Sequence, residues 1–253
     1  MNNGQMQSEQ KIYNTPINFD ESALRRYIRI TVGENASLFS LLWHEILLGF
    51  CLYIPGIIGI GIRKLLYTLC FPHFSFNSYI GRQVTLRCPR QIALKEGVII
   101  DDEVQLIATS HHPKAISIEE NSFLRSHVMI NAGPPEGHVS IGKRTSIGQG
   151  TVLYGNGGLR IGDDVMIAGQ CFIVASSHVY EQKDKPMNQQ GFTAKGISIG
   201  NNVWIGAGVI ILDGVSIGNN VIVGANSVIN QSVTDDSTVA GSPAKAIRPN
   251  SLN

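Results

Sequence analysis

The sequence predicts a mainly β protein: a solenoid of parallel strands wound in triangular coils, preceded by an apolar α-helical segment. Three observations predict it. Aliphatic residues recur every six positions through most of the chain. Glycine or asparagine follows many of them. Residues 37–71 depart from this period in a long, almost uncharged run.

The clearest stretch runs from Ile197 to Ser232 and divides into ISIGNN, VWIGAG, VIILDG, VSIGNN, VIVGAN and SVINQS. The third position holds Ile199, Ile205, Ile211, Ile217, Val223 and Ile229; the fourth holds Gly200, Gly206, Gly218 and Gly224. At about 100° per residue, a period of six would scatter these side chains over three faces of a helix. Extended chain keeps them on one side. A single strand of this length is far outside the usual range, so the chain must bend repeatedly. Gly or Asn after each aliphatic supplies a corner that tolerates positive φ. Three faces of six residues then close a coil of about 18 residues, and stacked coils bury a ladder of branched side chains.

The ladder reaches back to Ile80, Leu86, Ile92, Val98 and Val104, then Ile118, Leu124 and Ile130, then Ile141, Ile147 and Leu153, then Ile161, Ile167 and Ile173. The phase breaks around His111-His112-Pro113, Gly133–Gly137, Asn156-Gly157-Gly158 and Ser177–Lys195. Each break reads as an insertion at a corner, where solenoids build binding faces. The expected organisation is a flexible arm at 1–20, a helical segment at 21–78, the β-helix at 79–236 with a loop at 177–196, and a tail at 237–253.

Glu21 to Ile30 reads as a short helix, and Asn35 or Ser37 can cap the next one. The 17 uncharged residues between Glu45 and Arg63 are interrupted by Pro55, Gly56, Gly59 and Gly61, which argues against one straight spanning rod. A helix–break–helix lying on a membrane surface, with Arg63 and Lys64 at the head groups, is one reading; a helical pair packed on the coil is the other. The formal net charge of +1 gives no reason to expect nucleic acid. Cys51, Cys70, Cys88 and Cys171 form no CxxC pair and read as reduced, buried thiols of a cytoplasmic protein. No leader pattern opens the chain, so the expected location is cytoplasmic, peripheral to the inner membrane face if the helices lie on it.

These six-residue units resemble the hexapeptide repeat of the left-handed parallel β-helix acyltransferases. The resemblance, not the spacing, implies the left-handed winding. The apolar preface resembles that of some bacterial surface-polysaccharide acetyltransferases. In the maltose, galactoside and related sugar O-acetyltransferases a catalytic His follows ten residues after a small residue, then a loop, then a coil reading VWIG. Here those pieces are Ala168, His178, the loop and Val203–Gly206. Chemically, a neutral imidazole suits a general base that takes a hydroxyl proton.

The same resemblance implies an acetyl-CoA groove beside Ala168, Trp204, Gly206, Ala207 and Ala225. It places an oxyanion donor near Gly206-Ala207 and CoA phosphates against Lys245 and Arg248. Asn156 falls on an acceptor-contact position that is acidic in the family, Gly148 on one held by Asn, and Gln231 on one held by Lys. The donor half therefore transfers better than the acceptor half. The resemblance further implies a homotrimer with sites between neighbours and a carbohydrate acceptor of surface polysaccharide biosynthesis, free or carried on a lipid or nucleotide. No metal is expected, because the HxxxxH pair of the zinc-dependent relatives is missing. The alternatives are an N-acetyltransferase on an amino sugar or small amine, and a non-catalytic membrane-associated scaffold.

Overall fold

The computed structural model describes residues 12–13 and 21–249 of the 253. Apart from Ile12 and Tyr13, the expected arm at 1–20 lies outside the described residues. From His73 onward, strands of mostly two or three residues are dealt in rotation to three sheets with parallel strand pairing. We number these faces in the order visited from Thr85. Face one runs from Thr85–Arg87 to Val228–Ile229, face two from His73–Phe74 to Ser216–Ile217, and face three from Tyr79–Ile80 to Ser237–Gly241. The strands of one face stack in register, so Leu86, Leu106, Ile130, Leu153, Ile173, Ile211 and Ile229 form one inward column. None is more than 1% exposed.

The sequence ladder needs one correction. Ile100 and Leu106, not Val98 and Val104, continue the stacked columns. The turn Pro89–Gln91 slips the phase by two residues, which strand periodicity of two conceals. Val98 and Val104 are fully buried at corners instead.

The three edges of the prism differ. From face two to three, and from three to one, four residues join consecutive strands in every coil through Val228. From face one to two the connection varies from 4 to 22 residues. All four phase breaks therefore fall on one edge, although at Asn156-Gly157-Gly158 the connection keeps the four-residue length and only the phase shifts.

Glycine serves the corners differently from the sequence reading. Positive φ belongs to the residue two places later, as at Asn202 (54°), Gly208 (69°) and Asn220 (56°). Gly206 is required by packing: a Cβ there would sit 2.6 Å from the Ala225 nitrogen in the next coil.

The coil runs from His73 into Ser237–Gly241, which still pairs in parallel with Ile222–Val223. The chain then turns at Gly241 and returns antiparallel as Ala244–Pro249. At the other end stand three helices, α1 (Ala23–Val32), α2 (Leu38–Leu52) and α3 (Gly56–Leu66). Of the two candidate caps for α2 it is Ser37 that serves, its hydroxyl accepting the Ser40 N–H at 3.2 Å. Leu47, Leu48 and Cys51 join the coil core, closing its open end. Among the described residues no helix is long and apolar enough to cross a membrane.

Arg63 is not at the surface, as a head-group contact would require. It is 2% exposed and donates to the carbonyls of Ile80 (2.8 Å), Cys51 (3.1 Å) and Ile54 (3.0 Å). The break at Pro55 leaves the Cys51 carbonyl in the last turn of α2 and the Ile54 carbonyl just beyond it without helical donors, and the guanidinium fork supplies them. Replacing Arg63 with Met strands three buried carbonyls. We expect a loss of about 3 kcal/mol, read by chemical denaturation.

On the buried side of α2, His44 is 5% exposed, and burial holds its pKa below the ordinary imidazole value. The folded state therefore binds this proton less readily than the unfolded chain. The resulting stability is fully present above about pH 6.5 and is lost as pH falls below it. Denaturation midpoints measured between neutral and mildly acid pH should drop, and His44→Gln should flatten that slope.

Candidate active site

His178 stands on the edge that takes the insertions. Ser177–His178 pairs antiparallel with Phe192–Thr193, which pairs in turn with Ile12–Tyr13. The 22-residue insertion thus supplies two strands of a small three-stranded sheet, the third coming from Ile12–Tyr13. Its tip is tied by Gln190, 5% exposed, whose amide donates to the carbonyls of Gln182 (2.8 Å) and Lys185 (2.7 Å). Tyr13 and Phe192 stack with ring centroids 5.5 Å apart.

The His178 side chain is exposed and lines an open cavity of about 470 Å³ with Ser177, Thr193, Lys195, Leu212 and Asp213. Asp213 was not singled out by sequence. Its carboxylate accepts the Lys195 and Gly196 N–H groups at 2.9–3.0 Å, clamping the returning chain one coil from its own. The signal was an Asp at the corner position that holds Asn201 and Asn219 in the repeats ISIGNN and VSIGNN.

Asn156 is half-buried at the same edge, one coil nearer the helices, where Gly157 N–H bonds the Ala175 carbonyl. It does not line the His178 cavity. Three other histidines share this edge: His111 contacts Glu34 at 2.9 Å, and the His112 and His138 rings stack at 5.0 Å. Burial holds the His138 pKa below its ordinary value.

The residues assigned to the donor lie elsewhere. Ala168, Gly206, Ala207 and Ala225 all fall on the edge between faces three and one. Trp204 is 52% exposed on face three, in register with Met166 and Ile222. Lys245 is exposed on the returning C-terminal strand, and Arg248 follows it there, paired with Thr238.

Of the pair Gly206-Ala207, near which an oxyanion donor is expected, Gly206 has no free amide. Its N–H is taken by the Val223 carbonyl at 2.8 Å, and that of Gly208 by Gly169 at 3.0 Å. Among the described residues the Ala207 N–H has no backbone partner, so it is the donor this corner can offer. Cys171 points inward between them, 1% exposed, its sulfur 3.2 Å from the Gly206 carbonyl. Burial raises its pKa, as it does for the other three thiols, that of Cys51 to about 12. None is a candidate nucleophile.

Within one chain, face one separates His178 from the donor residues, a width of about six extended residues or roughly 20 Å. The outer column of that face is apolar where it matters, reading Met129, Val152, Phe172, Ile210 and Val228. Phe172 is 41% and Ile210 37% exposed. The corresponding column of face two reads Ser117, Ser140, Arg160, Ser198 and Ser216. Among the described residues no three His, Cys, Asp or Glu side chains are grouped as a metal ion would need.

Comparison with known proteins places this coil. The family profile for the bacterial transferase hexapeptide (six repeats) matches residues 196–231. A probable acetyltransferase of Mycobacterium tuberculosis is 28% identical over 138 residues, 54% of this chain and 43% of that protein. The match thus spans less than half the length of this curated relative. Among solved structures, a variant of AntD, an N-acyltransferase from Bacillus cereus in complex with dTDP and coenzyme A, aligns with a TM-score of 0.53. It is 23% identical, covering 62% of this chain and 84% of that one. A maltose O-acetyltransferase from Clostridium difficile 630 aligns at 0.45 and 18% identity, covering 90% and 89%. The resemblance read from the sequence is borne out: the chain carries the bacterial transferase hexapeptide repeat.

Proposed function

We propose that the protein is an acetyl-CoA-dependent O-acetyltransferase acting on a carbohydrate hydroxyl of bacterial surface polysaccharide, through a left-handed β-helix assembled as a homotrimer. The observation that carries this reading is His178, an exposed imidazole in an open cavity on the edge that gathers every insertion. The match to a transferase repeat supports it. So does the likeness to a probable acetyltransferase. The AntD likeness speaks for the fold alone and does not move the choice towards an amine acceptor.

The separation of His178 from the donor residues is what a shared site requires. The apolar column of face one between the two edges suits a subunit contact. In the trimer, His178 of one protomer faces the Ala207 corner of its neighbour. The acceptor hydroxyl oxygen attacks the thioester carbonyl carbon while His178 takes its proton. The carbonyl oxygen becomes an oxyanion held by the Ala207 N–H. The intermediate then expels the CoA thiolate, which recovers the proton from the imidazolium. Lys245 and Arg248 hold the CoA phosphates. The helices place the assembly peripherally on the inner membrane face.

His178→Ala should lower kcat by roughly 10²–10⁴-fold in an acetyl-transfer assay while acetyl-CoA binding, read by calorimetry, stays unchanged. Loss of donor binding in this variant would remove His178 from the base role. A mixing test addresses the shared site. His178→Ala and Ala207→Trp protomers should each be inactive alone. Co-refolded in equal amounts, they should recover about a quarter of wild-type activity, since one interface in four pairs two intact half-sites. A site lying within one chain predicts no recovery.

A further inference from the structure

The helical end of the molecule is chemically unlike the rest. Phe39 (77% exposed), Trp43 (51%), Ile57 (85%) and Ile58 (69%) turn apolar side chains outward from α2 and α3. Between Glu21 and Arg90 the chain carries, besides the buried Arg63, seven Arg and Lys against three Glu; from Gln91 to Asn253 it carries eleven against fourteen Asp and Glu. The apolar face is therefore set in the cationic part of an otherwise anionic protein. That combination fits an anionic bilayer surface, which takes apolar groups at its boundary and attracts juxtamembrane cations.

A row of depressions connects this end to His178. The first, about 350 Å³, lies between Phe39, Trp43, Leu69 and the corner Pro89–Arg90. In its wall is His44, 5% exposed, with an Nε2 that has no hydrogen-bond partner among the described residues. A second, of about 250 Å³, shares Glu34 and Arg90 with it and reaches Ser110 and His111. Beyond the stacked His112–His138 pair, a third of about 430 Å³ holds Arg160 and Lys195. It shares Lys195 with the His178 cavity. From the Pro89 corner to the His178 corner is four coils, roughly 19 Å at the spacing of adjacent strands.

The row is lined for an anion. Among the described residues Arg90, Arg160 and Lys195 have no carboxylate ion-pair partner. Of the acids present, Glu34 is paired with His111 and Asp213 with backbone N–H groups; Glu136 and Glu181 are on exposed loops. The tail cation Lys245 lies at the opposite end of the coil, so donor and acceptor would approach His178 from opposite directions.

We propose that the acceptor is a saccharide carried on a lipid phosphate in an anionic membrane. The face of α2 and α3 rests on the bilayer, and the head group runs along the insertion edge from Trp43 and Arg90 to His178. This rests on His178 being the acetyl-transfer base.

The test uses the full chain and two probes. In the first, Trp204→Phe leaves Trp43 as the single tryptophan. Its emission should shift to the blue with vesicles of phosphatidylcholine containing phosphatidylglycerol, and not with phosphatidylcholine alone. In the second, dodecyl phosphate below its micelle concentration is titrated by calorimetry beside inorganic phosphate and dodecyl maltoside. Dodecyl phosphate should bind about tenfold or more tightly than either control, the effect of burying two or more methylenes beside a paired anion. Phe39→Ser/Trp43→Ser and Arg90→Ala should each erase that advantage; if the first does not fold, Arg90→Ala decides. No emission shift with the anionic vesicles, or equal binding of all three ligands, overturns the proposal. Acetyl-CoA titrated in parallel into the unsubstituted chain separates the two readings. Donor binding without lipid binding sinks this proposal and leaves acetyl transfer standing. Lipid binding without donor binding overturns acetyl transfer and the acceptor role with it, leaving only a membrane-binding face.

Discussion

Everything in this molecule depends on each coil returning its inward aliphatics to the height and angle of those in the coil before. Strands of two or three residues contribute few hydrogen bonds each, so no single strand is stable alone. Register is enforced instead by the corners. Two edges hold to four connecting residues in every coil through Val228, and at those edges close backbone approach rules out a Cβ at positions such as Gly206. Length is free to vary on the third edge alone, and the exposed His178 stands there.

The same constraint explains what could be read in the sequence. The period of six, the buried aliphatics and the sites of insertion were legible because they are repeated, and repetition survives local noise. The slip at Pro89–Gln91 was not, because a shift of two residues preserves the inward–outward alternation and leaves Val98 and Val104 looking like ladder members. Arg63 was misplaced for a different reason. A charged residue after an apolar run resembles a head-group anchor until the carbonyls freed by the Pro55 break are seen to need a donor.

The candidate site was half legible. His178 could be found from the spacing of one motif. Asp213 could not, because it acts on backbone groups of a neighbouring coil; and within the expected Gly206-Ala207 pair the free N–H is told apart only by which amides are already used. Which residues share an edge is likewise a property of the winding. Adjacent repeats in sequence lie on different faces, whereas residues a whole coil apart lie side by side.

The two ends of the coil are finished in different ways: helices cover one, and the antiparallel strand Ala244–Pro249 runs back along the other. A solenoid with both ends closed has a fixed number of turns, so its axial distances come in whole steps. Removing or adding one coil would change the separation between helical cap and His178 by one strand spacing, about 4.8 Å, with every remaining contact intact. The coil is in that sense a graduated spacer, and its reach can be altered by gain or loss of one whole coil of three repeats without redesign of either end.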